Sequence, residues 1–153
     1  MKKRTFSLVV LMVLTLVLMI GVGSVNAAEK TVFPSYEELI TTLDPGTWSY
    51  PNGNIHIRGM VQLFQETAAD PRGDGENTVV VNANWDSDFH GPMWGTFSFV
   101  TDEGGLWEGT WSGRMTENGP VYTARGNGYG IYAGMKIWVD MNLGTCTTTI
   151  LEH

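Results

Sequence analysis

From Thr47 to the C-terminus the chain alternates apolar and polar residues with period two, and clusters of Gly, Asn, Asp and Pro interrupt it every eight to twelve residues. That pattern leaves few folds open, because a period of two is the repeat of a half-buried β-strand. Strands are predicted over 47–50, 54–65, 77–86, 92–101, 105–116, 120–128, 134–141 and 145–151. Between them lie turn sequences such as Pro51-Asn52-Gly53, Asp102-Glu103-Gly104-Gly105 and Glu117-Asn118-Gly119. Short connections between consecutive strands favour an antiparallel up-and-down meander over a Greek-key sandwich. Closing the meander removes its exposed edges. The expected fold is all-β: a closed antiparallel up-and-down barrel of about eight strands, occupying 47–153.

The first 46 residues read differently. Lys2, Lys3 and Arg4 precede an apolar run over 6–22 and then Val25-Asn26-Ala27. This is the order of a secretory signal peptide, assigned to 1–27. An uncleaved anchor is the alternative, since roughly 17 apolar residues reach the lower limit for a membrane span. Residues 28–46 form a leader and one short amphipathic helix. Ser35-Tyr36-Glu37-Glu38 matches a capping box, Leu39, Ile40 and Leu43 follow at helical spacing, and Asp44-Pro45-Gly46 ends the element.

The leader also changes the charge. Of nine basic and sixteen acidic residues it holds three basic and no acidic ones, so the mature chain carries six against sixteen, a formal −10 rather than −7. Such a surface repels phosphate backbones and anionic lipid, so neither nucleic acid nor a membrane is expected as partner of the mature form. A secreted or periplasmic location follows from the signal. The single Cys excludes an intramolecular disulfide framework and a thiolate zinc cluster.

Sorting each strand by face places Trp107 and Trp111 inward with Gly109 and Gly113, opposite Glu108, Thr110, Ser112 and Arg114. The remaining inward sets are Ile55, Ile57, Val61 and Leu63; Val79, Val81, Ala83 and Trp85; Met93, Phe97 and Phe99; Tyr122 and Ala124; Ile137, Val139 and Met141. His56, Arg58 and Gln62 fall on the outer face. Tyr122 is then the sole titratable group expected inside, which leaves general acid–base catalysis short of candidates. The interior is either a packed core or a pocket for an apolar molecule.

Other constellations read as structure. Asp70, Asp74 and Glu76 could suggest calcium, but Arg72 interrupts the ligand alternation and no acid closes the loop. Asp86, Asp88 and His90 suit a solvated hairpin tip, and Cys146 lacks an adjacent base. No metal and no cofactor is expected.

The tract Trp107-Glu108-Gly109-Thr110-Trp111-Ser112-Gly113, with Gly126-Asn127-Gly128-Tyr129-Gly130-Ile131-Tyr132-Ala133-Gly134, resembles the late strands of the allene oxide cyclase-like and dirigent-like barrels. The resemblance spans about a third of the mature chain and consists of glycines and aromatics. It implies an eight-stranded barrel with an apolar cavity, acting on or orienting small hydrophobic molecules without a cofactor, often as a homo-oligomer. The cyclases' polar catalytic residues find no match here, so no activity is carried over.

Three readings stay open. The leading one is an exported barrel binding a small hydrophobic molecule among Trp85, Phe97, Trp107, Trp111 and Tyr122. The others are a cofactor-free cyclase or isomerase, and a structural or oligomeric module with a filled interior.

Overall fold

The computed structural model describes residues 28–152; the segment 1–27, expected to be a signal peptide, lies outside them. Nine strands run in chain order: β1 Glu29–Asp44, β2 Thr47–Ser49, β3 Ile55–Ala68, β4 Gly75–Trp85, β5 Gly91–Thr101, β6 Leu106–Thr116, β7 Gly119–Tyr129, β8 Lys136–Asn142 and β9 Thr145–Glu152. From β3 to β9 each strand pairs antiparallel with the next. β1 then pairs with both β9 and β3, closing an eight-stranded antiparallel barrel, and β2 continues along the same edge of β3.

The segment expected to be a helix over 36–43 is therefore the closing strand. Residues 29–35 lie along β9 and residues 35–44 along β3. Closure accounts for the difference. Without β1 the barrel would keep two open edges, whereas a lone two-turn helix is marginal in water. Ser35 caps no helix: its buried hydroxyl meets Thr148 Oγ1 at 2.7 Å. Leu39, Ile40 and Leu43, the supposed apolar face, are exposed, and register shifts break β1 after Leu39 and Thr42. The barrel thus begins at Glu29 rather than at Thr47. Among the described residues the only helical pieces are single 3-10 turns at Pro51–Gly53, Pro71–Gly73 and Gly130–Tyr132.

A second correction concerns β3. Its pairing with β4 shifts between Ile57 and Met60, a bulge in which Gly59 adopts φ +66° and its N–H donates to Asn82 Oδ1 at 3.1 Å. Arg58 stays outside, donating to the carbonyls of Ile57 and Ala83 and to Asn84 Oδ1, with its guanidinium over the Trp94 ring. Beyond the bulge the faces exchange. Met60, Gln62, Phe64 and Glu66 turn inward, and Val61 and Leu63 take the other side.

One end of the barrel is sealed. Phe33, Phe99, Trp107, Tyr132, Ile137 and Ile150 pack there, beside the 3-10 turn Pro71–Gly73. Trp107 is fully buried, stacks on Tyr132 with ring centroids 4.8 Å apart, and donates from Nε1 to the Arg72 carbonyl at 3.0 Å. Arg72 ties that turn to the wall through Asp70 Oδ2 at 2.6 Å, Thr31 Oγ1 at 3.1 Å and the Glu152 carboxylate.

Candidate functional site

The interior beyond the sealed end is a cavity of about 290 Å³. A single water needs only ~10–15 Å³ on the same kind of measure, so this space is of small-molecule size. Most of the wall is apolar. Phe97 and Trp111 lie on neighbouring strands, and Trp85, three methionines (Met60, Met93 and Met115), Val79, Val81 and Ala124 complete the wall.

Glycine makes the aromatic wall possible. Gly95 lies between Val81 on β4 and Trp111 on β6. Because Gly95 has no side chain, the Trp111 indole crosses β5 and donates from Nε1 to the Val80 carbonyl at 3.1 Å. A Cβ at Gly95 would stand 1.7 Å from that carbonyl oxygen and 2.8 Å from the indole nitrogen. Trp111 in turn meets Tyr122 edge-on, with ring centroids 5.7 Å apart.

Of the five residues expected to line a pocket, Trp85, Phe97, Trp111 and Tyr122 do line this cavity. Trp107 does not. It belongs to the sealing layer, where a full set of packing partners and a main-chain hydrogen bond occupy it.

Apart from Tyr122, the polar part of the wall goes beyond the expected lining. Glu37 of β1 and Glu66 of β3 are direct cross-strand partners, and both line the cavity with Gln62, Asn77 and Tyr122. Tyr122 donates its hydroxyl to Glu37 Oε2 at 2.6 Å, and Asn77 Nδ2 donates to Glu66 Oε1 at 2.9 Å. Asn77 Oδ1 is buried and has no hydrogen-bond partner. Among the described residues no lysine, arginine or histidine lines the cavity.

Both carboxyl groups are consequently harder to ionise than usual. Burial raises Glu37, opposed by the Tyr122 hydrogen bond. Glu66 is pushed up to about 7, first by burial and further by the charge of Glu37, against the hydrogen bond from Asn77. Burial and the same two acids hold the Tyr122 phenol far above its ordinary range and push the Cys146 thiol up to about 12. Cys146 is buried beside Met141 Sδ at 3.8 Å, an environment that disfavours the thiolate a nucleophile needs.

Neither acid is visible in local strand alternation: Glu37 falls within a helix-like pattern, and Glu66 lies past the bulge and beyond the predicted strand end. The Arg58-Gly59 pair within an alternating run was the available signal, since glycine inside a strand marks bulges.

The acidic loops serve local structure. Asp70 Oδ1 accepts the Arg72 amide, Asp74 Oδ1 the Ala68 amide, and Asp86 Oδ1 the amides of Asp88 and His90. Among the described residues no group of three or more His, Cys, Asp or Glu is placed to hold a metal ion. No protein-family model, curated protein or solved structure matches the chain.

Proposed function

We propose that this chain is an exported binding protein that takes up a small, mostly apolar molecule inside the barrel, without a cofactor. One observation carries the reading: a cavity of about 290 Å³ walled by Trp85, Phe97, Trp111 and Tyr122. An unfilled interior of that size loses dispersion contacts and cohesion, a cost that a binding function explains and a filled structural module does not. Export rests on the signal-like first 27 residues.

The test is titration with N-phenyl-1-naphthylamine, an apolar fluorophore that carries no charge at neutral pH. Saturable enhancement at micromolar concentration is expected, weakened at least fivefold by Trp111→Ala and unchanged by Trp107→Phe, whose site lies in the sealing layer. No saturable signal, or equal loss in both variants, would sink the reading. Mass spectrometry of exported protein beginning at residue 28 or 29 checks the leader.

A cofactor-free isomerase or cyclase is the second reading, favoured by one observation. Glu66 has its pKa near 7 inside a largely apolar cavity, where a carboxylate can remove a proton from a bound molecule and return it elsewhere. The resemblance to the allene oxide cyclase-like barrels points the same way. Loss of turnover in Glu66→Gln with fluorophore binding retained would separate catalysis from carriage.

A further inference from the structure

Among the described residues the acidic wall of the cavity has no counter-charge. Glu37 and Glu66 face each other across one strand pair, so their Cβ atoms are ~5 Å apart, and like charges placed this way destabilise a sheet. The groups that face them are Tyr122 from β7, Asn77 from β4 and Cys146 from β9, and none of these is a base. The fold does not relieve the repulsion with a nearby arginine, although Arg72 binds carboxylates on two sides at the sealed end.

Two acceptors with room for further donors therefore meet at one place, the carboxyl groups of Glu37 and Glu66, each with one hydrogen bond from the protein. A carboxylate can accept several hydrogen bonds, so both keep free capacity. An anionic ligand group would add a third negative charge. A hydroxyl offers a single donor and leaves the charge uncompensated. A primary ammonium offers three donors and a positive charge, enough to bond both carboxyl groups and to offset their charge. The rest of the wall, Phe97, Trp111 and the methionines, suits a hydrocarbon body and not a second charge.

Building on the cavity as a ligand site, we infer that its ligand is a lipophilic primary amine whose ammonium sits between Glu37 and Glu66. The amine keeps its own proton up to about pH 10, by analogy with lysine, so its uptake displaces the proton that the acid pair holds at neutral pH. Binding therefore strengthens as pH rises through about 7, the value to which Glu66 is pushed.

The experiment compares 1-octylamine, 1-octanol and octanoate as competitors of N-phenyl-1-naphthylamine on the wild-type mature chain at pH 5.5 and 8. At pH 8 octylamine is expected to bind at least tenfold tighter than octanol, and octanoate weakest. The amine's advantage should shrink about tenfold at pH 5.5 and fall similarly in Glu66→Gln and Glu37→Gln at pH 8. Octanol competing as well as octylamine would overturn the amine while leaving the cavity reading standing. If neither the fluorophore nor any competitor binds, both fall. The wild-type comparison decides the matter even where a variant does not fold.

Discussion

Glu37 and Glu66 are register partners across the β1–β3 pairing that closes the barrel, and both point into its interior. The strand pair that removes the last open edges thus also sets two acids against each other. An opposed like-charged pair costs about 0.2–1 kcal/mol in an exposed sheet, and burial adds desolvation. A fold that carries such a cost in its closing seam concentrates polarity where a ligand would meet it.

Stability should reflect this cost as a dependence on pH. The folded state holds a proton on Glu66 up to about 7, against about 4.5 for an ordinary glutamate. Over that window the native chain binds more protons than the unfolded one, so stability falls as pH rises from about 4.5 to 7 and then levels off. Glu66 alone should account for a loss on the order of 3 kcal/mol, and the raised Glu37 acts in the same direction. Urea midpoints measured between pH 5 and 8 should decline in the wild type and flatten in Glu66→Gln. A wild-type midpoint that rises over this range would refute the assignment.

Tyr122→Phe should destabilise the chain by about 1–3 kcal/mol at neutral pH, because Glu37 loses its one hydrogen-bond donor from the protein. In a double-mutant cycle with Glu37→Ala, which removes the acceptor, the two changes should be non-additive by about 1 kcal/mol or more. Strict additivity would mean that the 2.6 Å contact contributes no coupling.

Gly95→Ala should cost about 2–4 kcal/mol, since a methyl group would collide with the Val80 carbonyl and displace the Trp111 indole. Denaturation reads the loss, and the near-ultraviolet circular dichroism of the tryptophans should change with it. An unchanged spectrum at full stability would show that the indole does not cross β5.

Arg72→Met should lower stability by about 2–3 kcal/mol through the loss of charge-assisted bonds to Asp70 and Glu152. Asp70, held below the usual carboxylate range chiefly by its hydrogen bond from Arg72, should titrate at higher pH in the variant. The Trp107 indole proton should exchange faster with solvent, because its acceptor is the Arg72 carbonyl. Retained protection of that proton would mean the sealed end stands without the arginine.

Residues 54–151 announced their strands and turns directly. Trp107, Gly109, Trp111 and Gly113 alternate with Glu108, Thr110, Ser112 and Arg114, and that local contrast was enough to orient β6. The same contrast placed Trp85, Phe97, Trp111 and Tyr122 on the cavity wall. It could not separate Trp107 from Trp111: both face inward, and only the turn Pro71–Gly73 beneath Trp107 makes one a seal and the other a lining.

Residues 36–43 misled for a different reason. Ser35, Glu38, Leu39, Ile40 and Leu43 satisfy a helical pattern locally, yet β3 and β9 each required a partner, and main-chain pairing over sixteen residues outweighed a two-turn helix. Gly59 misled by one residue only, but one extra residue in a period of two reverses every side chain after it.

The amino-acid sequence by itself determined the strands from β3 onward, their antiparallel order and the aromatic wall, because alternation and turn chemistry are local properties. The tertiary structure alone decided how the barrel closes, where it is sealed, and that Glu37 and Glu66 meet inside it. Those outcomes depend on strand pairing and register between residues far apart in the chain, which no local pattern encodes.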